Sequence, residues 1–385
     1  MNDVSEFIEA ATSGRRARAE ALYSGRVAAD RWARLTHGDG WDGDAGAPGG
    51  PRDWAPLLYV THSVFASHDL AAQLLDDGAD PDVTFTNEYG EMSALYGAAG
   101  VVHDPDLTRV LLEAGANPDD GESVYHATEA PSPECLRALL EHGATVEPVM
   151  LAHALDDERM EHVRLLLEAG ADARELLPFA VRRGRGTEYL RVLVENGAEL
   201  EHRSGEGWRN PTRLRTAYQH AVLRGADDSA GLLASMGADT SVDVDDLAIA
   251  AIARGERPDS IPETLDYDQQ EVVILSALHG NMSLVVELFG PDFRGVVGGS
   301  PEGSLLQHVA WVGNADLARL LLDAGADPAG SLDWAVHGSQ NHAVPGRDYA
   351  GVASRLVAAG AVIEPGQQEV ADGPLAEWLE ARLRR

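Results

Sequence analysis

One phrase occurs eight times along the 385 residues. It runs Leu74-Leu75-Asp76-Asp77-Gly78-Ala79-Asp80, returns as Leu111-Leu112-Glu113-Ala114-Gly115-Ala116-Asn117, and comes back around Gly143, Gly170, Gly197, Gly237, Gly325 and Gly360. The phrase reads as the end of a helix. The leucine pair faces a core, the glycine takes the left-handed conformation that terminates the helix, and the small alanine lets the chain turn closely. Upstream of each exit lies a second apolar, alanine-rich stretch, such as Leu95-Tyr96-Gly97-Ala98-Ala99 or Leu306-Gln307-His308-Val309-Ala310, often followed by a glycine such as Gly225 or Gly313. Each unit is therefore helix, short turn, helix and glycine exit. One such pair cannot bury its apolar face alone, whereas stacked pairs can.

This combination of exit and first helix resembles ankyrin-repeat proteins, over about residues 55–363. The resemblance implies an all-α, curved ankyrin-repeat solenoid of about nine to eleven helix-turn-helix units, some degenerate, whose concave groove binds a protein. The exit glycines are spaced 37, 28, 27, 27, 40, 88 and 35 residues apart, against a usual repeat of ~33. The short spacings leave no room for projecting hairpins over about 143–180. The spacing of 40 makes an enlarged finger of Glu199 to Arg215, with Trp208 on it. The spacing of 88 must hold a degenerate unit, with first-helix material around Ile274 to Gly280 and an exit at Leu288-Phe289-Gly290. Residues 5–35 and 245–264 read as short cap-like helical pairs, His37 to Asp53 as a loop, Ser339 to Asp348 as an insert, and Ala371 to Arg385 as a last capping helix. The expected division is 1–54 for an N-terminal unit and loop, 55–242 for a first array, 243–290 for degenerate repeats, and 291–385 for the C-terminal repeats.

A second periodicity carries the functional question. His126, His153, His220 and His308 each lie 17 residues before an exit glycine. Ankyrin first helices commonly place a structural histidine one residue earlier; here Tyr125, Gln219 and Gln307 stand there. Positions three apart share a helix face. The inferred groove floor is therefore Tyr96, His126 with Glu129, His153 with Asp156, Phe179 with Arg182, His220, His308 with Trp311, and Trp334 with His337. Two readings stand side by side. Buried histidines at repeat interfaces bond to neighbouring carbonyls. Histidines open to a groove can contact a ligand or exchange protons with it, and a carboxylate one turn away would orient the ring.

Composition narrows the classes. All 30 basic residues are arginine, against 63 acids, and the formal charge is −33. Without lysine there is no Schiff-base chemistry and no lysine-bearing phosphate loop; the bias itself hints at a GC-rich bacterial genome. The charge repels nucleic acid and anionic membrane, so neither is expected as a partner. A basic island interrupts it, with ten arginines against six acids between Arg174 and Arg224. Guanidinium forks there suit a small anionic molecule. No apolar run suggests a membrane span, Met1 to Glu20 does not read as a secretory leader, and the lone Cys135, read as a core thiol, makes no internal disulfide, so a cytoplasmic protein is expected. No His-Glu-x-x-His and no cysteine pair occurs, and no metal or cofactor is expected.

The expected function is binding of a protein or peptide-like partner in the groove. The alternative is a cofactor-independent acid/base enzyme (isomerase, epimerase, cyclase or hydrolase). It would act on a peptide-like or small natural-product substrate, with His126, His153, Asp156 and His308 exchanging protons.

Overall fold

All eight exit glycines adopt positive φ, from 88° at Gly143 to 110° at Gly360. In each case the amide of the following alanine closes on a carbonyl one turn back, as in Ala116 N–H to Leu111 and Ala326 N–H to Leu321, both 3.0 Å. This satisfies carbonyls that a helix end leaves open. The computed structural model describes residues 2–204, 213–298, 300–341 and 343–384. Its architecture is the expected one: all-α and built from antiparallel helix pairs, with three short hairpins among the described residues.

The chain forms two compact units, one comprising Met1–Leu176 with Arg191–Ala198 and the other Leu177–Leu190 with Glu199–Arg385. The first unit opens on four short helices, Asp3–Ala11, Arg16–Leu22, Gly25–Ala29 and Arg31–His37, where the sequence suggested one cap-like pair. Its repeat pairs include Pro56–Thr61 with His68–Asp76, Ser123–Ala127 with Glu134–Glu141, and Pro148–Asp156 with Met160–Glu168. The leucines of the exits, such as Leu74, Leu111, Leu139 and Leu166, are fully buried.

A further pair joins Ala94–Tyr96 to Pro105–Glu113 through a π-helical turn, Gly97–Val102. Two glycines of that turn are needed for close approach. A Cβ at Gly97 would lie 2.4 Å from the His62 ring, and one at Gly100 would lie 2.7 Å from His126 Cβ. The turn ends on His103 at φ +55, the position that Gly225 and Gly313 fill in other pairs.

The second unit holds Leu177–Arg182, Ala217–Leu223 with Asp227–Ser235, Leu305–Trp311 with Ala315–Asp323, and Ser331–Gly338 with Tyr349–Ala358, and it ends in Gly373–Leu383. Val244–Ala253 stands without a second helix, which corrects the pair expected over 245–264. Gly255, Pro258 and Pro262 explain this, since proline lacks the donor a helix needs and biases the preceding residue away from helical geometry. The degenerate unit ends at the expected exit, but its first helix is Tyr267–Ser276, earlier than the 274–280 expected, followed by a π-helical turn Ala277–Asn281 and then Met282–Phe289. Tyr267–Phe289 spans 23 residues and is long and apolar enough for a membrane span, which departs from the sequence reading. It is broken at Gly280, φ 128°, and Val273, Ile274, Ala277 and Val285 are in the core.

Hairpins occur at Thr84–Asn87 with Gly90–Ser93, Arg203–Ser204 with Arg215–Thr216, and Arg294–Gly295 with Gly303–Ser304. Among the described residues, none falls within 143–180, as the short spacings required. The finger residue Trp208 lies outside the described residues.

Candidate functional site

The four equivalent histidines do different work, and the hairpins decide which. His220 and His308 sit in units that carry a hairpin. His220 Nε2–H donates to the Ser204 carbonyl at 2.8 Å, and His308 Nε2–H donates to the Gly295 carbonyl at 3.1 Å. Each ring is roofed by its hairpin and buried. Burial lowers the His220 imidazole to about 3, and it also lowers that of His308. Both rings are neutral pins between a helix and a strand near neutral pH. This corrects the expectation that His220 is a groove-floor contact and that His308 exchanges protons, because each ring is buried with its Nε2–H donated to main chain.

His126 and His153 belong to pairs without hairpins, and their rings reach solvent. Glu129 Oε1 lies 3.0 Å from His126 Nδ1 and 3.3 Å from His153 Nε2, so one carboxylate joins both rings. Glu122 Oε2 approaches His126 Nε2 at 3.3 Å. The Thr128 hydroxyl donates to the Tyr125 carbonyl at 2.6 Å, so its oxygen accepts from His153 Nδ1 at 3.1 Å. Tyr96 packs edge-on to His126 at 5.3 Å, and Tyr125 edge-on to His153 at 4.1 Å. Both phenols are raised, by burial first and then by nearby carboxylates including Glu129. Asp156, the residue expected beside His153, is exposed; the carboxylate at His153 Nε2 is Glu129 from the preceding pair. The sequence paired residues within a helix, whereas the structure also joins neighbouring helices.

The central arginines are largely held by the chain's own acids. Arg215, 1% exposed, grips Asp246 through Nε and Nη2 at 2.8 and 2.7 Å, Asp266 through Nη2 at 2.6 Å, and Asp268 through Nη1 at 3.2 Å. Gln269 Nε2 completes the Asp246 shell at 2.8 Å. Burial alone would lower the Arg215 guanidinium, but hydrogen bonds to Asp246 and Asp266 outweigh it and raise the group. Burial pushes Asp268 up to about 6, against the pull of Arg182 and Arg215. Arg182 Nε faces Asp268 at 3.7 Å, so Arg182 is part of this network. Phe179 lies under the Arg183 guanidinium, 5.2 Å from its ring centre. Nothing in the sequence marked Asp246, Asp266 and Asp268 as partners of one strand residue.

Three of the expected ligand contacts do converge. Trp311 on Leu305–Trp311, and Trp334 and His337 on Ser331–Gly338, line a cleft of about 670 Å3 in the second unit. The two indoles meet at 6.2 Å and 78°, and Trp334 also packs edge-on to His308 at 5.0 Å. The hairpin forms the other wall. Its Gly298 N–H donates to Glu271 Oε1 at 2.8 Å, and the other oxygen of Glu271 is paired with Arg224. Gly303 lies close against the aromatic wall, where a Cβ would come within 2.7 Å of the Trp334 ring.

No family model matches the sequence, and neither does any curated protein. Solved structures similar to the chain include two ankyrin repeat domains. That of Bcl-3, a unique member of the IkappaB protein family, is 26% identical over 48% of this chain and 86% of that chain, with a TM-score of 0.40. The human ASB11 ankyrin repeat domain is 20% identical over 61% of this chain and 99% of that chain, with a TM-score of 0.41.

Among the described residues, no group of three or more His, Cys, Asp or Glu side chains is placed to hold a metal ion. Cys135 is buried, and desolvation raises its thiol to about 11.

Proposed function

We propose that the chain is a binding module that takes a protein or peptide-like partner into the cleft of its second unit. The observation that carries this reading is the exposure of Trp311, 44%, beside Trp334 and His337 in that cleft. A large aromatic surface left open in a concave site is the usual anchor for a partner. The two indoles stand on adjacent helices fixed by close packing. Gly338 has no room for a Cβ, which would lie 2.3 Å from the Trp311 carbonyl, and Tyr349 Oη–H donates to that same carbonyl at 3.0 Å. A site held this firmly loses little freedom on binding.

The test is photocrosslinking from a benzoylphenylalanine placed at His337, with the exposed Arg319 as control. Crosslinks to peptides selected against the full chain should form at 337 and not at 319, and Trp311→Ala should abolish them. Equal labelling at both positions, or labelling that survives Trp311→Ala, would overturn the reading.

A second reading, proton transfer in the first unit, draws on the single carboxylate of Glu129 set between two solvent-reaching imidazoles. It requires a turnover that His153→Ala and Glu129→Gln both remove. His308, one of the four residues that reading drew on, is buried with its Nε2–H donated to the Gly295 carbonyl, so binding is preferred.

A further inference from the structure

The cleft has a chemistry beyond its aromatic lining, and resting on the binding reading above, we propose that it captures an arginine side chain of the partner. Its charged groups are unbalanced. Arg294 and Glu302 face each other at 3.4 Å and offset one another. His308 is held neutral by its hairpin. Asp333 is left as the net charge, half-buried one residue from Trp334. One of its oxygens accepts from Gln367 Nε2, and among the described residues no donor is bonded to the other. His337 donates Nδ1–H to the Asp333 main-chain carbonyl at 2.8 Å, which leaves Nε2 as the ring atom that can meet a ligand.

Two indoles at nearly a right angle, in a cleft that Asp333 also lines, form a partial cage for a cation. An aromatic face attracts a cation by its quadrupole, and the attraction grows when the site excludes water. Guanidinium fits better than ammonium. It is planar, so it stacks flat on one indole while its forked N–H groups reach the Asp333 carboxylate and His337 Nε2. An anionic group would meet the Asp333 charge directly. The whole molecule favours the same partner, since a formal charge of −33 steers a basic chain inward from beyond contact distance.

The experiment uses the full chain and a random dodecapeptide phage library. Clones that bind the wild type and lose binding to Trp311→Ala define the cleft ligands. These should carry an arginine whose replacement by citrulline, neutral and nearly isosteric, weakens binding about tenfold or more. Asp333→Asn should weaken the same peptides and leave their citrulline forms unaffected, and lysine should replace arginine only at a loss. Cleft ligands that lack arginine, or that bind unchanged as citrulline forms, would overturn this inference while the peptide-binding reading stands. A selection yielding no clone sensitive to Trp311→Ala would overturn both. Citrulline exchange changes the peptide alone, so the result does not depend on how well a protein variant folds.

Discussion

The imidazole of His220 is tied to the carbonyl of Ser204 by a 2.8 Å hydrogen bond and is fully buried. Its acidity follows from that enclosure. The folded state holds it near 3, whereas an unfolded histidine titrates near 6.5. As pH falls below about 6.5 the unfolded chain takes up a proton that the folded chain refuses, so stability falls.

The pH slope of unfolding is therefore the first expectation. Between about pH 7.5 and 5.5, His220→Gln should lose about 1 kcal/mol less stability than the wild type, read from urea midpoints. Asp268 acts in the opposite sense. Burial raises its carboxyl to about 6, so the folded state binds the proton more readily between about pH 4 and 6, and ionisation destabilises it as pH rises through that range. Asp268→Asn should make the loss on acidification steeper. Parallel slopes for all three proteins would refute both assignments.

Arg215 should be the costliest single residue of the second unit. Its removal leaves Asp246 and Asp268, 2% and 4% exposed, facing only the more distant guanidinium groups of Arg213 at 4.0 Å and Arg182 at 3.7 Å. Arg215→Met is expected to destabilise by about 3–5 kcal/mol, the usual cost of stranding a buried charge. Arg215→Lys should recover little, because one ammonium cannot bond Asp246 through two nitrogens while also holding Asp266. Chemical denaturation of the two variants decides the point; near-wild-type midpoints for the lysine form would contradict it.

Helix approach around the tryptophans gives a packing test. Gly338→Ala sets a methyl against the Trp311 carbonyl at 2.3 Å. Backbone must shift, and a loss of about 1–3 kcal/mol with altered tryptophan fluorescence is expected. Gly303→Ala presses on the Trp334 ring instead, where a side chain can yield. It should cost less stability and more peptide affinity.

Thiol labelling offers a simple check on the first unit. Cys135 is 1% exposed and its thiol is raised to about 11 by burial, so the reactive thiolate is scarce at neutral pH. Labelling by a disulfide reagent should track the unfolded fraction across a urea titration. Rapid labelling of the folded chain would mean that the site opens locally.

The repeat was legible because its physics is local. Only glycine takes positive φ without cost, so Gly78, Gly115 and their equivalents announce each helix end. The split among the four histidines was also present in the numbers, since spacings of 27 and 28 before Gly170 and Gly143 leave no chain for a roof, and 40 before Gly237 does. The uniform offset from the glycine points to one role for all four and so masks it. Pro258 and Pro262 were similarly visible signs that 254–266 would not form a helix. The Arg215 network had no such sign. Its acids come from two later helix starts, and no periodicity joins a strand residue to charges 31 and 53 positions on. The helix spacing makes Glu129 the partner of His126; its reach to His153 depends on how neighbouring helices stack.

Copying a unit duplicates its imidazole, but the length of the connector before it settles what that imidazole becomes. Trim the connector and the ring is released to water and acids; extend it and the ring turns into a fastener. An inherited residue can thus change occupation here without itself mutating, and insertions and deletions upstream are where such a change would be written.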